Sequence, residues 1–137
     1  MPYKFEQLES WKLSLEYIDL IYALAEKLPR SEEYNLKSQI VRAATSISLN
    51  IAEGSTGQSD AEQARFLGMA IRSLIETVAC HHIIQRRAYI QDENLLEKVY
   101  EDSQLLARKL QAFRKSLSSP QRQIREDAPE YWNGDAI

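Results

Sequence analysis

Along most of this chain, apolar residues return at three- and four-residue steps, the spacing of one face of an α-helix. Leu8, Trp11, Leu15, Ile18, Tyr22 and Ala25 follow this rule and predict a first helix from about Glu6 to Leu28, with a heptad seam as its core face. Pro29 ends it, because proline disfavours helical backbone in the residue before it. After the polar link Arg30 to Glu33, Leu36, Ile40, Ala43, Ala44, Ile47 and Ile51 predict a second helix from about Tyr34 to Glu53. Gly54 is expected to close it in the left-handed conformation. Ser55 to Ser59 reads as a loop, and Ser59 with Glu62 as a capping box that starts a third helix at Asp60. Its seam is Ala64, Leu67, Ile71, Leu74 and Val78, widened by Phe66, Ala70, Ile75 and Ile83. A short connection, Arg86 to Asp92, leads to a fourth helix from about Glu93 with the seam Leu96, Val99, Ser103, Leu106, Leu110, Phe113 and Leu117. Ser118-Ser119-Pro120 stops it.

Four amphipathic helices with short links predict an all-α, antiparallel up-down-up-down four-helix bundle over residues 1–118. Residues 119–137 lack a sustained period and read as a flexible C-terminal tail, whose Ile124, Tyr131, Trp132 and Ile137 are candidates to dock on a partner. The apolar faces of the second and third helices exceed a narrow seam, which favours self-association.

Beside the apolar stripe of the second helix runs a polar row, Gln39, Arg42, Ser46, Asn50 and Glu53. In a hairpin turning near residue 57, Arg42 falls level with Ser73 or Glu76, and Glu53 with Glu62 or Arg65. The row therefore reads as a partly buried polar network that sets helix register, with Arg42 paired to Glu76 because an unpaired buried charge is costly. A ligand site is the competing reading.

Composition narrows the classes. The 137 residues fit one domain, with four Gly, four Pro and 44% hydrophobic residues, as an all-helical protein requires. No run of 18 apolar residues and no signal-peptide pattern is present, so a soluble, cytoplasmic protein without a membrane role is expected. A single cysteine, Cys80, cannot form an intrachain disulfide. Cys80-His81-His82 lacks the helical ligand spacing of metal-binding bundles, so no metal, cofactor or catalytic centre is expected, and the histidines read as surface or interface residues. The net charge is −3, yet from Ser103 to Arg125 the chain holds Arg108, Lys109, Arg114, Lys115, Arg122 and Arg125 with no acidic residue. Such a run suits phosphate groups. On the fourth helix Arg108, Lys109 and Lys115 are expected near one another, with Arg114 to one side.

Leu28-Pro29, Glu33-Tyr34, Leu36 and the stretch Gln39 to Gly54, ending Asn50-Ile-Ala-Glu-Gly54, carry a further signal, continued by Phe66-Leu67, Ala70 and Ser73-Leu74-Ile75-Glu76 with Trp11 upstream. These residues resemble the bacterial 23S rRNA intervening-sequence protein family over roughly residues 5 to 117. The resemblance implies a four-helix bundle that assembles into a ring, typically a homopentamer, with no established catalytic activity. A similar bundle is the accessory variability protein of diversity-generating retroelements, which binds nucleic acid and a reverse transcriptase. The expected function is a non-enzymatic, oligomeric accessory protein that binds RNA or DNA through the fourth helix and the tail. The alternative is a scaffold that docks another protein and has no nucleic-acid role.

Overall fold

The computed structural model describes residues 2–57 and 59–118, and within them the secondary structure is entirely helical. After a 3-10 turn at Lys4–Gln7 come α1 (Glu9–Glu26), a second 3-10 turn (Arg30–Glu32), α2 (Leu36–Gly54), α3 (Asp60–Arg87) and α4 (Glu93–Ser116). Each helix packs on its neighbour in sequence and α1 closes onto α4, giving the antiparallel four-helix bundle. The expected tail at 119–137 lies outside the described residues.

The ends follow local chemistry. Leu8 is extended (φ −75°, ψ 127°) and separates the first turn from α1, so the helix starts later than Glu6. The Ser59 hydroxyl accepts from the Glu62 amide at 3.1 Å, as a cap should, but the Glu62 carboxylate turns to Arg65 instead of completing the box. Asp92 caps α4 through the Leu95 amide at 3.1 Å. Arg86 and Arg87 belong to α3, which stops at Ala88 in the left-handed region (φ 55°). Gly54 is not left-handed. It is the last residue of α2, and a Cβ there would lie 2.8 Å from Phe66 Cβ, so glycine is needed for the close approach of α2 to α3. The left-handed glycine is Gly57 (φ 93°), in the turn.

In α2 and α4 the buried stripes are the expected ones. In α1 the stripe is displaced by about one position. Ser10, Ser14, Tyr17, Ile21 and Leu24 face the core, while Leu15 and Tyr22 of the heptad seam are 39% and 48% exposed. Ser14 reaches the core with its hydroxyl bonded within its own helix, Oγ donating to the Trp11 carbonyl at 2.6 Å, whereas the buried Ser10 Oγ has no partner among the described residues. Tyr17 crosses the bundle to meet Thr77 at 2.8 Å. In α3 the stripe is Gln63, Leu67, Ala70, Leu74, Thr77, His81 and Ile84, so Ala64, Ile71 and Val78 lie at its edge and Ile75 and Ile83 face outward. His81 is thus a core residue (2% exposed), not a surface one, bound through Nε2 to the Leu96 carbonyl at 2.9 Å.

At one end the two long-range links are tied together. The Tyr89 hydroxyl donates to Glu32 at 2.7 Å, and Glu32 also accepts from Asn35. The Tyr89 bond is the main cause holding the Glu32 carboxyl below its ordinary range.

Candidate nucleic-acid interface

The basic residues of α4 do not form the group that spacing alone suggests. Lys109 and Arg108 are adjacent and so lie about 100° apart on the helix. Lys109 sits on the flank towards α1, where its Nζ is 3.6 Å from Glu9. Arg114, expected off to one side, instead reaches the opposite flank and lays its guanidinium over Gly68 of α3, with Cζ 3.3 Å from the position a Cβ would occupy. Arg108 and Lys115, two turns apart, share an exposed face between the two flanks.

That placement recruits α3. Gly68 lies one turn from both Arg65 and Arg72, and both arginines are exposed. A missing side chain at Gly68 leaves room for Arg114 between them. Five cations from two helices, Arg65, Arg72, Arg108, Arg114 and Lys115, therefore share one side of the bundle. Sequence reasoning missed Arg72, because a cation on another helix enters the patch only through the α3–α4 pairing. Arg65 is partly neutralised: its Nε donates to Glu62 at 3.0 Å, an interaction that lowers the Glu62 pKa and raises that of Arg65, and its guanidinium stacks 4.7 Å from the Phe66 ring centroid. Arg122 and Arg125 lie outside the described residues.

The polar row of α2 is brought only partly together. Ser73 Oγ donates to Ser46 Oγ at 3.0 Å across the α2–α3 contact, and Asn50 Nδ2 donates to Ser46 Oγ at 3.0 Å and to its carbonyl at 2.9 Å. Gln39 bonds to Asn35 in its own helix approach at 3.0 Å. The expected buried Arg42–Glu76 pair does not form. Both residues are exposed, and no ion pair among the described residues includes either. Arg42 is two residues from both Ile40 and Ala44, about 200° around the helix from the core stripe, so its side chain points to water. Glu53 is exposed too and acts on Arg65 only as a distant charge.

Cys80 is buried, and burial pushes its thiol pKa up, which disfavours the reactive thiolate. Among the described residues no three His, Cys, Asp or Glu side chains gather as a metal site, and no helix is long and apolar enough to cross a membrane.

Fold and surface together define a small antiparallel all-α bundle in which α3 and α4 bring basic side chains together at Gly68. The chain belongs to the 23S rRNA-intervening sequence protein family, whose model matches residues 6–112. It is also similar to a Bacteroides thetaiotaomicron VPI-5482 protein of unknown function from the S23 ribosomal protein family, with a TM-score of 0.70 and 30% identity over 77% of this chain and 98% of that one. No curated protein matches the chain.

Proposed function

We propose that this protein is an oligomeric accessory protein that binds the phosphate backbone of RNA or DNA. The observation that carries the reading is the seat of Arg114 on Gly68, which joins the basic face of α4 to Arg65 and Arg72 of α3. Lys and Arg on a rigid helical surface neutralise phosphates without reading base edges, so binding of this kind is independent of sequence. Repetition of the patch in an assembly multiplies the effect.

Self-association is supported by the unused heptad seam. Leu15 and Tyr22 of α1 stand exposed, and on the same side Phe5 packs edge-on against Trp11 (4.8 Å between centroids) while bordering Leu49, which is 62% exposed. A heptad stripe beside the core is the surface on which a further helix packs. A ring of five copies is the assembly that the family resemblance implies. The same stripe is what a scaffold function would use, and salt dependence separates the two.

The test is a salt titration of binding to a labelled RNA and a labelled DNA duplex, alongside the mass in solution by light scattering. Wild type should scatter above its 15.8 kDa chain mass and should bind with affinity that falls steeply as salt rises. The variant Arg72→Gln, Arg108→Gln, Arg114→Gln, Lys115→Gln should keep the oligomer. Its slope of log K against log salt on duplex DNA should be shallower by about 0.9 for each phosphate that it no longer neutralises. No binding by wild type at about 50 mM salt, where attraction to phosphates is strong, would refute the reading and favour the scaffold.

A further inference from the structure

At the end of the bundle where α3 turns into α4, a cleft of about 690 Å³ opens between the two helices, well away from Gly68 and the basic side. Its walls include His81 and His82 of α3 and Glu93, Glu97 and Tyr100 of α4, and among the described residues no Lys or Arg lines it. Glu93 and Glu97 are one helical turn apart, so both carboxylates share one face. Neither joins an ion pair among the described residues. The His82 and Tyr100 rings stand 6.0 Å apart at 77°, forming an aromatic corner, and the His81 ring lies 6.1 Å from Tyr100.

His81 adds no positive charge to the cleft. A carbonyl can only accept, so the Nε2 bound to Leu96 carries the ring proton. Nδ1 is then a lone-pair acceptor, and it is buried without a partner among the described residues. Burial lowers the His81 pKa, which keeps the ring neutral and that lone pair free. The cleft thus offers two carboxylates and an aromatic corner, while the buried His81 Nδ1 is closed off from it. An anion would be repelled.

We propose that this cleft binds a protonated amine or guanidinium group, with Glu93 and Glu97 supplying charge and hydrogen-bond acceptors and the face of Tyr100 supplying a cation–π contact. The group has two sources, a free small-molecule amine or an arginine side chain presented by another protein. The inference is independent of nucleic-acid binding, which uses a different surface.

The experiment follows the imidazole Cε1–H signals of His81 and His82 by NMR at physiological ionic strength. The probes are agmatine, which carries both cationic groups, the peptide acetyl-Gly-Arg-Gly-amide, and the neutral control in which citrulline replaces arginine. Saturable shifts of both histidines by agmatine or by the arginine peptide, and none by the citrulline peptide, are the expected result. Tighter binding of agmatine identifies the free amine as the source, and tighter binding of the peptide identifies a partner's arginine. The double variant Glu93→Gln, Glu97→Gln, which alters only exposed side chains, should weaken binding by about tenfold or more, the equivalent of one good charge-assisted hydrogen bond. Absence of a saturable shift, equal shifts from the citrulline peptide, or undiminished binding by the double variant would each overturn the proposal.

Discussion

Tyr17 and Thr77 form a buried hydrogen bond whose two halves differ in what they leave behind. Tyr17 is 1% exposed and Thr77 0%. The Thr77 hydroxyl donates to the Leu74 carbonyl at 2.6 Å, so the 2.8 Å contact is made by the Tyr17 hydroxyl donating to Thr77 Oγ1. Tyr17→Phe removes only a donor, and Thr77 keeps its own bond, so the cost should be about 1 kcal/mol. Thr77→Val strands the tyrosine hydroxyl in the core and should cost more, about 1–3 kcal/mol. The double variant should cost about 1 kcal/mol less than the sum, because the second change removes a group already left without its partner.

Alkaline pH adds a second readout. Burial, the largest cause, pushes the Tyr17 pKa from 10.0 up to about 12 in the folded protein. The unfolded chain therefore releases this proton first as pH rises above 10, and stability falls until the folded pKa is passed. Below pH 10 that contribution is fully present. By about pH 11 the wild type should have lost about 1.4 kcal/mol on this account, a loss that Tyr17→Phe cannot suffer. The two proteins should reach equal stability between about pH 10 and 11, with Tyr17→Phe the more stable above the crossing. Chemical denaturation at one fixed protein concentration, from neutral pH to about pH 11, measures both effects. Additive single variants, or a gap between wild type and Tyr17→Phe that does not change with pH, would refute the reasoning.

Two backbone positions give further tests. Gly54→Ala places a Cβ 2.8 Å from Phe66 Cβ, and unfolding by denaturant should show a loss of about 1–3 kcal/mol from overpacking. Ala88→Gly should do the reverse: Ala88 sits at φ 55°, a left-handed conformation that costs a residue with a Cβ about 1 kcal/mol, so the variant's midpoint should rise.

The sequence alone determined the number of helices, most of their ends and the core face of two of them. Pro29, Ser59 and Asp92 act within a turn of where they stand, and the stripe of α4 has no competitor, since its other faces are charged. The fold class was legible for the same reason, and the family through particular residues, above all the stretch Gln39 to Gly54. The core face of α1 was not. Two stripes of equal period run side by side there, and counting apolar residues selects Leu8, Trp11, Leu15, Ile18 and Tyr22 over one containing Ser10 and Ser14. In the tertiary structure the stripe with Tyr17, Ile21 and Leu24 is the buried one, and Thr77 across the bundle gives the Tyr17 hydroxyl its partner. The polar row of α2 failed in the same manner. Residues level with one another along a hairpin share height and not direction, so Arg42 and Glu76 both turn to water while the small pair Ser46 and Ser73 meets. Arg114 joins α3 because Gly68 lies beneath it, and His81 is buried because the Leu96 carbonyl can receive it. Helical periodicity is set by neighbours three and four residues away, whereas each of these pairings depends on the rotation and height of a second helix, which tertiary packing alone decides.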